Sequence, residues 1–167
     1  MIVGAVTLGA MADLHADVAP LAFLVGIWEG AGVGIYPTIE SFEYEEHIEI
    51  TVPPKPFLMY TQRTRRAGTN EPLHMETGYL RCPTPTTAEL IIAQPTGIAE
   101  VHSGTIEGTS VHFASTSVAR TLTAKVVDTV ERILTVDGNV LRYELFMGAV
   151  GEPHQIHLKA ELKTVLA

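Results

Sequence analysis

Hydrophobic and polar residues alternate along most of this chain with a period of two. The clearest alternation spans residues 42–51, where aromatic and β-branched residues occupy nearly every second position between acidic or polar ones. Because successive side chains of a strand point to opposite faces, this alternation predicts a strand with one apolar and one acidic face. Further candidate strands surround Trp28 and occupy residues 56–66, 73–82, 87–94, 97–104, 109–118, 123–136, 139–148 and 153–164.

Short segments rich in glycine, proline, asparagine and aspartate separate these stretches, for example Pro53–Pro54 and Asp137–Gly138. They are typical of tight turns, and an Asp-Gly pair favours a hairpin. About ten short strands must protect their edges, which closure of the sheet achieves completely. We predict an all-β fold, a ten-stranded antiparallel up-and-down β-barrel like lipocalins and fatty-acid-binding proteins, with a β-sandwich as the alternative. Barrels of about eight strands hold at most one small ligand, so about ten strands predict a real cavity.

The first residues of the chain do not follow the strand pattern. Residues 12–24 favour a short helix that would act as a lid or plug, so we divide the chain into an extension with a possible short helix (1–19) and a barrel domain (20–167). Residues 1–10 are apolar but lack a basic segment and are too short for a membrane span, so we expect neither a signal peptide nor a membrane protein. Met11 is an alternative start.

Composition narrows the range of functions. Eleven lysines and arginines against nineteen acidic residues give a net charge of -8, which argues against a nucleic-acid partner. Cys82 is the only cysteine, so no intramolecular disulfide can form, and we expect a cytoplasmic protein. The chain has no phosphate-binding loop, nucleophile elbow or zinc-protease motif, which leaves ordinary hydrolases and kinases without support.

A glycine-rich segment surrounds the only tryptophan, with Gly26, Gly30 and Gly32 spaced around Trp28. Strand glycines permit a bend or a close approach of another backbone. The segment is therefore either a functional motif or a structural one, in which Trp28 plugs the barrel floor and the glycines allow curvature.

The seven histidines offer candidate ligands. We expect His47, His102 and His112 to be ordinary solvated side chains, and His154 and His157 to lie on opposite strand faces and not to share a metal. His74, His157 and Lys125 remain as site candidates. A lone histidine in an apolar barrel mouth suits haem iron. However, His157 alternates with outward-looking residues, so it would reach the interior only through a bulge or a polar inner face.

Several segments together resemble the nitrobindin family of small haem-binding β-barrels. The matching segments span about residues 20–163 and are Gly26 to Gly32, Tyr36–Thr38, Phe42–Glu46, Lys55–Leu58, Pro72–Arg81, Thr123–Lys125 and Gln155–Leu158. The resemblance implies a ten-stranded barrel that holds one haem b at its open end. It implies His157 as the axial iron ligand and the catalytic residue, and His74, Lys125 and Thr38 as further contacts to the cofactor.

The resemblance also implies an activity, the isomerisation of peroxynitrite to nitrate at ferric haem, with reversible binding of nitric oxide. Two alternatives stay open. The protein is a nitric oxide or haem carrier or sensor without physiological catalysis, or the barrel is free of haem and holds an apolar ligand. Exposed barrel faces also allow a homodimer.

Overall fold

A computed structural model describes residues 14–165 and contains one helix and ten strands in this part of the chain. The helix is a 3₁₀ helix, η1 (Ala16–Leu24). The strands are β1 (Gly26–Tyr36), β2 (Ile39–Thr51), β3 (Leu58–Arg66), β4 (Pro72–Thr84), β5 (Thr87–Gln94), β6 (Ile98–Glu107), β7 (Ser110–Arg120), β8 (Val127–Asp137), β9 (Val140–Ala149) and β10 (Glu152–Thr164).

The strands form one closed antiparallel barrel in which each strand pairs with its neighbours in sequence and β10 pairs with β1. The closing register places Trp28 opposite Thr164 and Gly34 opposite Leu158. This confirms the predicted up-and-down barrel over the sandwich. Because β1 pairs with β10, neither strand is an unpaired edge to which another chain could add a strand.

Predicted strand boundaries hold to within a few residues, with one larger difference at β8. The predicted strand began at residue 123, whereas β8 begins at Val127. Residues 121–126 instead form a connection in which the Ala124 N–H donates to the Thr121 carbonyl at 3.2 Å. The helix predicted at 12–24 is found from Ala16 onward, and residues 12–13 and the predicted extension at 1–10 lie outside the described residues.

The helix closes one end of the barrel. Val18, Leu21 and Leu24 are fully buried, and the Trp28 indole N–H donates to the Leu24 carbonyl at 2.9 Å. Burial of three such aliphatic side chains stabilises the fold by several kcal/mol, about 1.5–3 for each. The helix and Trp28 therefore form the floor that the structural interpretation of the glycine-rich segment requires.

The glycines of that segment permit close packing of the strands. A Cβ at Gly30 would lie 2.1 Å from the Glu161 carbonyl oxygen, and one at Gly32 would lie 2.4 Å from the Tyr44 ring. Both distances are far below a normal contact, so only glycine fits. Among residues 14–165, no helix is both long enough and apolar enough to cross a membrane.

Candidate functional site

A cavity of about 780 Å³ occupies the barrel at the end opposite the helix. It opens among the turns that contain Thr38, Thr96 and Val150. Its volume falls in the range of small-molecule and cofactor sites, roughly 300–1,000 Å³. Four residues predicted for the site, Thr38, His74, Lys125 and His157, all line this cavity, whereas Gly26, Trp28, Gly30 and Gly32 do not.

A β-bulge directs His157 into the cavity. In the β10–β9 pairing Ile156 faces Phe146 and Leu158 faces Leu145, so His157 is an extra residue without a partner. Both His157 and Leu158 line the cavity, although a regular strand would send them to opposite faces. The bulge thus removes the objection raised by the alternation of His157 with outward-facing Lys159.

The imidazole of His157 is held in one orientation by the end of β1. Its Nδ1 lies 3.2 Å from the Ile35 carbonyl oxygen, an acceptor, so Nδ1 carries the proton. Nε2 then keeps a lone pair that it can donate to a metal ion. Burial lowers the pKa of His157, the Ile35 carbonyl opposes that shift, and the nearby His74 lowers the pKa further. The environment favours the neutral imidazole, which is the form in which histidine binds metals.

Tyr36 connects His157 to the β9–β10 turn. Its ring meets the His157 ring edge-on, and its hydroxyl accepts from the Ala149 N–H at 2.9 Å. The same hydroxyl lies within donating distance of the Ala149 and Met147 carbonyls, at 3.2 and 3.3 Å. The next residue, Val150, has a φ of 50°, a left-handed conformation that is unusual for a β-branched residue.

The other predicted residues lie around the cavity mouth. Thr38 belongs to the β1–β2 turn and Lys125 to the connection before β8, and both are exposed. His74 is half-buried on β4, with Nε2 3.4 Å from a Glu76 carboxylate oxygen. His154 lies on the outer wall, where Nε2 contacts Glu131 at 3.0 Å, so it cannot share a metal with His157.

Deeper in the barrel, Arg132 bridges two buried glutamates that the sequence analysis missed. Its guanidinium lies 2.7 Å from Glu76 and 2.8 Å from Glu100, and all three side chains are at most 3 % exposed. Burial alone would raise the pKa of Glu76, but Arg132 and His74 outweigh it and lower that pKa to about 2. Burial would also raise the pKa of Glu100, but Arg132 and His102 outweigh it and lower that pKa.

A third buried glutamate, Glu46, stands apart from this ion pair. Gln62 donates through Nε2 to its Oε1 at 2.5 Å, while its Oε2 has no hydrogen-bond partner among the described side chains. Burial raises the pKa of Glu46 to about 7, with Gln62 opposing the shift. The sequence contained a sign of it, because Glu46 shares its strand face with Tyr44 and Ile48.

The expectation that His102 is solvated was wrong. His102 is 1 % exposed and its Nε2 lies 2.8 Å from a Glu100 oxygen. On β6 it shares the inward face with Ile98 and Ile106, which sets its direction regardless of polarity. His112 is exposed as expected and bonds to Glu131, while His47 lies partly covered on the outer wall beside Glu29.

Comparison with known proteins agrees with this geometry. Residues 17–164 match the family described as THAP4-like, heme-binding beta-barrel domain. The chain belongs to this family.

Named relatives extend the similarity over most of the chain. A protein of Nocardia farcinica named peroxynitrite isomerase is 49 % identical, over 90 % of this chain and 92 % of that protein. Peroxynitrite isomerase 2 of Mycobacterium avium is 47 % identical, over 90 % and 96 %. The crystal structure of Rv2717c from M. tuberculosis matches with a TM-score of 0.85 at 42 % identity, over 90 % of this chain and 98 % of that one.

The residues of the cavity fit the haem that this family binds. Haem iron needs only an axial ligand from the protein, and the neutral, oriented imidazole of His157 offers one. Among residues 14–165 no group of three or more histidine, cysteine or acidic side chains is arranged to hold a bare metal ion. His157 is the residue that would hold the iron of a haem in this cavity.

Proposed function

We propose that this protein is a haem-dependent peroxynitrite isomerase that carries one haem b per chain with His157 as the axial ligand. The observation that supports this proposal most directly is the bulge at His157. It points a neutral imidazole toward a cavity that is large enough for a cofactor. The names of the relatives support the reaction. When bound, the haem supplies the ferric iron at which peroxynitrite rearranges to nitrate without net redox change.

The residues of the chain have separate roles in this proposal. His157 binds the iron, and the Ile35 carbonyl holds the proton of its Nδ1 and fixes the ring. Lys125 pairs with a propionate at the exposed rim, a contact worth about 1 kcal/mol or less. Thr38 and His74 contact the cofactor's periphery. The barrel wall shields one face of the site from side reactions, which is the usual contribution of a protein to cofactor chemistry.

Three finer features belong to the same proposal. Nitric oxide binds reversibly at the position that peroxynitrite uses, because both need an open iron site. The protein acts in the cytoplasm. Exposed outer side chains such as Tyr79 and Ile91 allow a homodimer, which sedimentation at several protein concentrations would detect as a concentration-dependent mass.

Replacement of the ligand tests the central assignment. His157→Ala should abolish the shift and sharpening of the Soret band that hemin undergoes when it binds to the protein. His154→Ala is the matched control, since His154 lies on the same strand but on the outer wall, and it should leave this spectral change intact. Equal hemin affinity and equal spectra in the two variants would reject His157 as the ligand.

Kinetics separate catalysis from the two alternatives. Stopped-flow decay of peroxynitrite should be faster with the haem-loaded protein than with an equal concentration of free hemin, and His157→Ala should lose the difference. No acceleration beyond hemin would favour a carrier or sensor. A protein that refuses hemin but takes up a fluorescent fatty acid would favour the haem-free barrel.

A further inference from the structure

Three glutamates, Glu46, Glu76 and Glu100, are buried in the middle of the barrel and are at most 4 % exposed. The guanidinium of Arg132 bonds two of them and carries a single positive charge, and the imidazoles of His74 and His102 contact the same two carboxylates. Burying a charge is costly unless it is paired, and here the carboxylates outnumber the guanidinium. The proposed isomerisation does not use these groups, so their burial needs another explanation.

Two of the three glutamates line the same cavity as His157, and Glu46 lies behind Gln62. Glu76, Glu100 and Arg132 line the cavity, together with Gln62, and Gln62 bonds Glu46. In this interior, charges act on each other more strongly than in water, because the effective dielectric constant is lower. The carboxylates therefore concentrate negative charge at the inner end of the cavity, whereas Lys125 lies at its exposed mouth.

We infer that this buried carboxylate cluster favours ferric over ferrous iron in the bound haem. The inference rests on the proposed function, which needs the ferric state. Ferric haem carries one more positive charge than ferrous haem, so a negative surrounding stabilises the ferric form relative to the ferrous. Burial and nearby charge are known determinants of haem reduction potentials. In the test below, an added reductant supplies the single electron and iron alone is reduced.

The ionisation of Glu46 predicts how this effect depends on pH. Burial raises the Glu46 pKa to about 7, and Gln62, Glu76 and Arg132 also face its carboxyl group. The tyrosines Tyr44, Tyr60 and Tyr143 pack around the same cluster and their pKa values are raised, so they stay neutral near pH 7. Above pH 7 the cluster gains a negative charge, and the midpoint potential of the haem should fall.

Redox titration of the haem-loaded protein at pH 6 and pH 8 tests the inference. Glu46→Gln removes the charge at nearly constant shape, and Glu45→Gln is the control, since Glu45 is the exposed neighbour on the same strand. At pH 8 we expect Glu46→Gln to raise the ferrous-to-ferric ratio at fixed ambient potential roughly tenfold, about 59 mV. At pH 6 the variant should match the wild type, and Glu45→Gln should match it at both values.

Two further measurements keep the result interpretable. Glu46→Asp retains a carboxyl group, so the midpoint potential of this variant should still depend on pH. Loss of that dependence in Glu46→Asp would indicate an effect of packing instead of charge. In the haem-free barrel, ¹³C NMR of labelled glutamate should show one carboxyl group that titrates near pH 7 and disappears in Glu46→Gln.

Equal potentials in wild type and Glu46→Gln at pH 8, with haem bound, would overturn the inference and leave the proposed function intact. Failure of the wild type to bind hemin would overturn both.

Discussion

The ring of Tyr36 meets the imidazole of His157 nearly edge-on, with centroids 5.1 Å apart and planes inclined by 72°. The Tyr36 hydroxyl is fixed at the same time by the backbone of Ala149. One side chain therefore couples the proposed iron ligand on β10 to the turn that follows β9. An imidazole held in this way loses less rotational freedom when it binds iron, which favours binding.

Tyr36→Phe separates the two contacts of this residue. The ring that packs on His157 remains, but the Ala149 N–H and the nearby carbonyls lose their hydroxyl partner. We expect a loss of about 1–2 kcal/mol in the free energy of unfolding, the usual cost of unsatisfied buried groups, and faster haem loss. Urea unfolding and hemin dissociation measure the two effects.

Tyr79→Phe is the control for that experiment, because Tyr79 is 47 % exposed on the outer wall of β4. It should change stability by less than about 0.5 kcal/mol, as is usual at the surface. If Tyr36→Phe behaved like Tyr79→Phe in both assays, the proposed coupling through the hydroxyl would be wrong.

Val150 is strained, and relief of the strain should stabilise the protein. Its φ of 50° lies in the left-handed region, which asparagine tolerates much better than a β-branched residue. We expect Val150→Asn to raise the free energy of unfolding by about 1 kcal/mol. Val126→Asn is matched in exposure, 42 % against 41 %, and should not stabilise the protein. Equal effects at both positions in thermal unfolding would show that the strain is negligible.

The barrel could be predicted from sequence because each of its determinants is local. Alternation sets the inward face of every strand, and turn residues such as Asp137 and Gly138 join neighbours, so strand order follows from chain order. The β8 start was missed because residues 123–126 have strand-like composition, while their backbone bonds form a turn. The composition of this segment alone does not distinguish a strand from a turn.

The site could be predicted only in part. The resemblance supplied His74 and His157, but the alternation around His157 pointed outward, and the bulge that reverses it depends on pairing with β9. The buried cluster was missed for a different reason. Glu76 and Glu100 are charged, and a buried charge is expected only once its partner is known, here Arg132, which lies 56 and 32 residues away in sequence.

Removal of Arg132 should lower the free energy of unfolding, because the buried carboxylates lose their positively charged partner. Arg132→Met leaves Glu76 and Glu100 buried without their cation, and breaking such a pair typically costs 3–5 kcal/mol, so we expect about that loss in urea unfolding at pH 7. Arg142→Met breaks an exposed pair with Glu161 and should cost less than about 1 kcal/mol. Similar losses in both variants would mean that the buried pairs contribute no more than a surface contact.

Glu46→Gln should remove one component of the pH dependence of stability, the part that makes the folded protein less stable as the pH rises. Burial raises the Glu46 pKa from 4.5 to about 7, so the folded protein binds the proton more tightly than the unfolded chain. The contribution of Glu46 to stability is therefore full below pH 4.5 and declines as the pH rises to 7, by of the order of 3 kcal/mol. Urea unfolding between pH 4 and 8 should show Glu46→Gln equal to wild type at the acid end and more stable at pH 8, whereas Glu45→Gln should follow wild type throughout. A constant difference between Glu46→Gln and wild type across this range would show that Glu46 does not titrate there.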